Sequence, residues 1–225
     1  MNNINNDNMR LIAQLSIILL IFILTGVLAS LYTPADYKDY LYKSFSEQAK
    51  SILGNFSGEI DILQLPLKIF ANNLMVALVI YALSPTIILS WGFYLYQAFM
   101  VGAIVSAPAL DYEIINSIKT NMPQCMLTED NLLIIKLSLL IPHGLLEIPG
   151  ISLGLLAGTM ISKMIIDLIR RALGAAIEVR IRDTVKKSLK LLLYAAVMLL
   201  AAAYIETFIT PVVGGLVIAI ICFMR

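Results

Sequence analysis

Side chains that bind metals or form disulfides are scarce in this chain, which has one histidine and two cysteines among 225 residues. A catalytic zinc usually takes three protein ligands, mostly histidines, and the zinc-protease helix HExxH needs two histidines. Cys125 and Cys222 lie far apart, the first in a predicted loop and the second in the last apolar run. Such a pair forms neither a disulfide framework nor a zinc knuckle. We therefore expect no metal and no cofactor, and the redox compartment stays open.

Charge is also scarce. Only 14% of the residues are charged and 60% are hydrophobic, whereas soluble domains carry about 25% charged residues. The net charge of +1 and the absence of interleaved basic and aromatic residues give no reason to expect nucleic acid. Several apolar runs reach the roughly 20 residues that cross a bilayer. The composition predicts a multipass protein of the cell membrane whose immediate partner is the lipid bilayer.

The apolar runs predict an all-α bundle of about six spans that forms one membrane domain, residues 1–225. Residues 1–10 are polar and form a predicted cytoplasmic tail. The first apolar run is long for a signal peptide and its flank is rich in asparagine, which favours an uncleaved anchor. The predicted spans are residues 11–31, two within 71–110 that turn near Trp91, residues 132–162, residues 191–207, and residues 211–224, the last two forming a hairpin.

Two amphipathic segments flank these spans. Within residues 33–70, apolar side chains recur with helical period over residues 36–53, which predicts an interfacial helix able to contact a partner protein or a second copy of the chain. Residues 163–190 carry half of all Lys and Arg and predict one basic amphipathic helix. Its basic residues are Lys163, Arg170, Arg171, Arg180, Arg182, Lys186, Lys187 and Lys190.

The basic segment sets the predicted orientation. Lys and Arg are retained on the cytoplasmic side, so residues 163–190 are cytoplasmic and residues 33–70 are extracytoplasmic. With six spans, both termini are then cytoplasmic. The basic helix itself could attract anionic lipid, dock a cytoplasmic partner, or only fix the orientation.

The most informative stretch is residues 139–159, where Pro142 and Pro149 flank a polar pair in an apolar run. His143 and Glu147 are four residues apart and therefore share one face of a helix. An ionisable group at this depth costs about 2.5–3.5 kcal/mol on the gentlest insertion scale, so it normally faces protein or water. Because proline removes a backbone donor, we predict that this helix breaks at residues 142–144.

Four interpretations of the polar residues stay open. A metal site would need Glu206 as the third ligand. An intramembrane hydrolase would use His143 and Glu147 as an acid–base pair. A permease would line a proton or substrate path with polar side chains. A structural role would join helices through hydrogen bonds; this interpretation is the most economical. The candidate interior residues are Asn72, Asn73, Gln97, His143, Glu147 and Glu206.

Four sequence elements resemble the stage II sporulation protein M family, in that family's order. Residues 142–149, PHGLLEIP, resemble its PHG-x-x-E signature, and residues 69–73 resemble its IF-x-NN element. Residues 97–102 occupy the place of an NG-x-x-x-G stretch, although Gln97 and Ala98 replace the usual Asn-Gly. Gly150 likewise follows Pro149 where alanine is more common. Residues 202–211, AAYIETFITP, resemble the closing AA-x-IE-x-x-x-TP element.

The resemblance implies a multipass membrane protein. In spore-forming bacteria the family member works with a cell-wall hydrolase complex during engulfment, and the family also occurs in organisms that make no spores. We expect a non-enzymatic scaffold or component of a membrane or envelope complex, with other envelope proteins as partners. The alternatives are a small permease or lipid-handling transporter that uses the His143–Glu147–Glu206 interior, and an intramembrane hydrolase.

Overall fold

The computed structural model describes the backbone of residues 2–53 and 64–223 and the side chains of residues 9–47 and 64–223. The described regular structure is helical throughout, which confirms the all-α prediction. The elements are α1 (Asn2–Tyr32), α2 (Ala35–Leu53), α3 (Leu65–Ala82), α4 (Ile87–Val105), α5 (Pro108–Asn121), α6 (Glu129–Ala172), α7 (Ile181–Tyr204), a π-helical segment (Ile205–Ile209) and α8 (Thr210–Phe223). The amphipathic helix predicted at residues 36–53 is α2, whereas the predicted tail is the first part of α1.

Five helical stretches among the described residues are long and apolar enough to cross a membrane, where the sequence predicted six spans. The difference lies in the last pair, because α7, the π-helical segment and α8 follow one another without a turn. Pro211 stands just after the π-helical segment. Its missing N–H and bulky ring disturb a regular helix, and local π widening accommodates such a residue inside membranes. The predicted hairpin is therefore wrong.

The break predicted at residues 142–144 is also wrong. Helix α6 runs without interruption through Pro142 and Pro149. Its 44 residues extend about 66 Å at 1.5 Å per residue, roughly twice the hydrocarbon thickness of a bilayer. At its start, Thr128 and Asn131 cap the helix through reciprocal side-chain to backbone hydrogen bonds. The extra length is reached by projection beyond the membrane or by tilt, without a break.

Residues 163–190 do not form one basic helix. Helix α6 ends at Ala172, and Gly174 adopts a φ of 96° that side-chain-bearing residues rarely take. The Gly174 N–H donates to the carbonyl of Arg171 and the Ala175 N–H to that of Arg170, both at 3.0 Å, which is a Schellman cap. The basic residues are thus divided among the end of α6, a connection at residues 173–180 and the start of α7.

The turn predicted near Trp91 lies instead at residues 83–86, around Pro85. Trp91 belongs to α4, and Tyr94 on the same helix is fully buried in the core. Residues 65–70, which belong to the segment 33–70 predicted to lie outside the spans, form the start of α3, with Pro66 in its first turn. Residues 54–63 of the same predicted segment lie outside the described residues.

Small residues bring the helices into close contact. A Cβ on Gly102 of α4 would lie 2.0 Å from the Gly26 carbonyl oxygen of α1, and one on Gly154 of α6 would lie 3.3 Å from Ala77 of α3. Such contacts are typical of membrane helices, where apolar burial alone does not drive association. The Tyr94 hydroxyl lies 3.2 Å from the Ile18 carbonyl oxygen and 2.7 Å from Ser152 Oγ, which joins α1, α4 and α6 at the centre.

The helical bundle has two opposite ends, which we call the basic face and the disulfide face. The basic face holds residues 83–86 and 173–180. The disulfide face holds α2, α5, residues 122–128 and the end of α8, where Cys125 and Cys222 form a disulfide. The sequence prediction had separated these cysteines, because the predicted hairpin turned residue 222 to the other side. Since α1 and α4 run in parallel and α7 to α8 is continuous, the start of α1 and the end of α8 lie at opposite faces, which contradicts the prediction of both termini on one side.

Candidate functional site

The structure brings together three of the predicted interior residues, His143, Glu147 and Glu206. One ligand atom from each lies within 4.8 Å of those from the other two, and all three side chains are half-buried. His143 Nε2 lies 3.8 Å from Glu147 Oε2, as the i, i+4 spacing on α6 predicted. Glu206 comes from the π-helical segment, which packs beside α6. Among the described residues, this cluster is the only group of three or more His, Cys, Asp or Glu side chains that could together hold a metal ion.

A fourth residue, Thr210, orients the histidine. Its Oγ1 lies 3.4 Å from His143 Nδ1, and the residue is buried at the start of α8. When Nδ1 carries the ring proton, Thr210 accepts a hydrogen bond from it, and the lone pair of Nε2 is directed at the carboxylates. The sequence analysis missed Thr210, although it lies in the quoted AAYIETFITP element four residues after Glu206.

The three ionisable residues lie at mid-depth in the bundle. His143 and Glu147 are near the middle of α6, and Glu206 is near the middle of the continuous α7 to α8 stretch. Two adjacent carboxylates in a low-dielectric region repel each other strongly, and they require a proton or a cation between them. The donor set can therefore hold a shared proton or a divalent cation.

The remaining predicted interior residues do not join this cluster through hydrogen bonds. Asn73 is buried on α3, and its Oδ1 accepts a hydrogen bond from Asn72 Nδ2 at 3.4 Å. Gln97 is half-buried on α4, one turn beyond Tyr94. Within residues 64–223, no hydrogen bond links any of the three amides to His143, Glu147 or Glu206. Within residues 64–223, the six residues therefore do not form one hydrogen-bonded network.

A second polar feature, unpredicted from the sequence, lies outside the membrane-spanning helices. Helices α2 and α5 enclose a cleft of about 720 Å³ on the disulfide face. Asp39 of α2 accepts a hydrogen bond from the Ala109 N–H in the first turn of α5 at 2.7 Å. The cleft is lined by Asp39, Tyr42, Lys43, Ser46, Glu47, Pro108, Ala109, Tyr112, Glu113 and Asn116.

Tyr42 and Glu113 form a second link across this cleft, in which the tyrosine hydroxyl donates to the carboxylate. Burial, and next the hydrogen bond and negative charge of Glu113, raise the pKa of Tyr42 from 10.0 to about 12. Asp111 at the start of α5 pairs with Lys136 of α6 at 2.7 Å, so that α5 is anchored to the bundle as well. Helices α2 and α5 thus form one polar platform on the disulfide face.

The predicted basic residues all lie exposed at the basic face. These are Lys163, Arg170, Arg171, Arg180, Arg182, Lys186, Lys187 and Lys190. Arg180 pairs with Glu178 at 3.0 Å, and its hydrogen bond and charge lower the pKa of that carboxyl. Lys190 Nζ lies 5.6 Å from the ring centroid of Tyr194. These residues make the end of the α6–α7 hairpin strongly basic. Such a surface is suited to contact with water or with phosphate groups.

Long apolar helices that pack through small residues, with ionisable side chains turned inward, define a polytopic α-helical membrane protein. The stage II sporulation protein M family matches residues 15–211. The chain belongs to this family, as the four sequence elements indicated. No curated protein and no solved structure matches the chain.

Proposed function

We propose that this protein is a non-enzymatic membrane component that anchors an envelope complex through the platform formed by α2 and α5. The cleft between these helices is the observation that supports the proposal. Its lining carries three carboxylates, Asp39, Glu47 and Glu113, against one lysine, Lys43. A partner that presents a basic segment complements this charge.

The platform is suited to such contact because contacts within the chain already fix the positions of α2 and α5 in the absence of a partner. Helix α2 is tied to α5 through Asp39 and Tyr42, and α5 is tied to α6 through Asp111 and Lys136. The platform also exposes aromatic side chains: Tyr112, which lines the cleft, is 68% exposed, and Tyr40 of α2 is 63% exposed. Aromatic side chains are enriched at protein interfaces because they contribute large contact areas at low entropic cost.

We further propose that the platform is extracytoplasmic. The basic face gathers Lys and Arg, which are retained in the cytoplasm. The opposite face carries the Cys125–Cys222 disulfide, a bond that persists in oxidising compartments. Both observations favour the same orientation in the cell membrane, with the disulfide face outside.

The proposal is tested by site-specific photo-crosslinking in native membranes. A photoreactive residue at Tyr112 should trap one envelope protein, and Glu47→Lys should reduce that product several-fold because it reverses a charge in the cleft. Leu145 serves as a matched control position, since it is equally exposed at 68% but lies on α6. A product from both positions, a product insensitive to Glu47→Lys, or a product with only a second copy of the chain would contradict the proposal.

A further inference from the structure

We infer that His143, Glu147 and Glu206 bind one divalent transition-metal cation, with zinc as the best match. The single histidine argued against a metal when only the sequence was considered, and Glu206 was the third ligand that a metal site would need. The π-helical segment supplies the third, and the three ligand atoms lie within 4.8 Å of one another.

The spacing of the donors is close to that of a metal centre. Bonds of about 2.1 Å in a tetrahedral site hold donor atoms roughly 3.4 Å apart. His143 Nε2 and Glu147 Oε2 are already 3.8 Å apart, and a carboxylate oxygen of Glu206 lies within 4.8 Å of a ring nitrogen of His143 and of a carboxylate oxygen of Glu147. Half-buried carboxylates can close the remaining distance by rotation about their side-chain torsions, so the backbone need not move.

The chemistry of the donors selects the class of ion. One imidazole and two carboxylates are borderline to hard ligands, which suit zinc and its divalent neighbours better than copper(I) or sodium. A divalent ion neutralises the two carboxylates, whose charges are costly in a membrane interior. Three protein ligands leave a fourth position of a tetrahedral ion open.

Thr210 supplies the support that metal-bound histidines usually have. A ligating imidazole commonly donates its other N–H to a neighbouring oxygen, which fixes the tautomer and the ring orientation. The hydrogen bond between His143 Nδ1 and Thr210 Oγ1 at 3.4 Å has this arrangement. Thr210 is thus a positioning residue for the metal ligand.

The test is direct metal binding by the full chain, purified in detergent through a tag without histidine. The protein is stripped with chelator, dialysed against zinc chloride and analysed for bound metal. We expect about one ion per chain, and at least a tenfold loss of affinity in Glu147→Gln and Glu206→Gln, which keep the side-chain shape but lose the charge. Glu129→Gln is the control, because this carboxylate is exposed at the start of α6.

A second pair of variants separates ligand positioning from stability. Thr210→Val should weaken zinc binding about 10–100-fold, whereas Thr207→Val, which loses only a hydrogen bond to the Ala203 carbonyl, should not. Zinc should raise the thermal midpoint of the wild type and of Thr207→Val. Failure of the folded wild type to take up zinc or manganese would overturn the inference in favour of a shared proton, as would undiminished binding by the two glutamine variants. Either result is independent of the crosslinking outcome.

Discussion

At the scale of single residues, the contact between Gly26 and Gly102 decides how closely α1 and α4 approach. The family's usual Asn-Gly pair is Gln97-Ala98 here, and Ala98 is fully buried. A Cβ on Gly26 would lie 3.3 Å from the Ala98 carbonyl oxygen, a tight contact but a tolerable one. Gly26 therefore faces the backbone of α4 at both Ala98 and Gly102, which keeps α1 and α4 close together.

Gly102→Ala should destabilise the protein markedly. The new Cβ would lie 2.0 Å from the Gly26 carbonyl oxygen, which is backbone and cannot rotate away. Overpacking of this kind costs about 1–3 kcal/mol or more. Gly92→Ala on the same helix is the control, since a Cβ there meets nothing within 4 Å. Thermal unfolding in detergent compares the two, and a Gly102→Ala variant as stable as Gly92→Ala would show that α1 and α4 do not touch in this way.

The Tyr42 hydroxyl should lose its proton at a higher pH than an ordinary tyrosine does. Because burial and Glu113 raise its pKa to about 12, the folded protein keeps this proton when the unfolded chain, with the ordinary value of 10.0, has lost it. The corresponding stabilisation is complete below about pH 10 and is lost as the pH rises through about 12. Tyrosinate absorbance, taken as the difference between the wild type and Tyr42→Phe, reports the titration.

Glu113→Gln should move the Tyr42 titration to lower pH, because it removes the negative charge beside the hydroxyl. The exposed Glu129→Gln serves as the comparison and should leave the titration where it was. A Tyr42 pKa near 10.0 in the wild type, or one that ignores Glu113→Gln, would mean that the link between α2 and α5 does not form in solution.

At the scale of helices, the sequence predicted which side chains share one side of a helix better than it predicted where each helix begins and ends. The shared face of His143 and Glu147 and the amphipathic α2 both follow from side-chain period, which the fold preserves. The prolines were misleading: Pro142 and Pro211 were interpreted as a break and a turn, yet both lie inside helices. Periodicity cannot show how neighbouring helices and a π-helical segment accommodate the carbonyls that a proline leaves without partners.

The same limit explains what was missed in the candidate site. Glu206 could be named from the sequence, but its approach to His143 depends on the packing of the π-helical segment against α6. Thr210 gave no signal of its own, because a threonine beside a proline is common in helices. Gly174, which ends α6 with a φ of 96°, was hidden by the apolar period that continues across residues 173–177.

At the scale of the whole molecule, the path of the chain can be tested by cysteine labelling. In a background of Cys125→Ser and Cys222→Ser, single cysteines replace Met126, Leu173 and Phe223, which are 80%, 82% and 71% exposed. A reagent that cannot cross the membrane should label positions 126 and 223 from one side and position 173 from the other. The six-span hairpin would instead pair position 223 with position 173, so this one comparison distinguishes the two paths.

The Cys125–Cys222 bond joins positions 97 residues apart, and the covalent ring that it closes contains α6, the basic connection and α7. Scission of one peptide bond within residues 173–180 would therefore leave a single molecule until a reductant is added. In the intact chain the two long helical stretches are joined at both ends, by residues 173–180 at the basic face and by the disulfide at the opposite face. Scission alone would free their ends only at the basic face, and reduction alone only at the disulfide face.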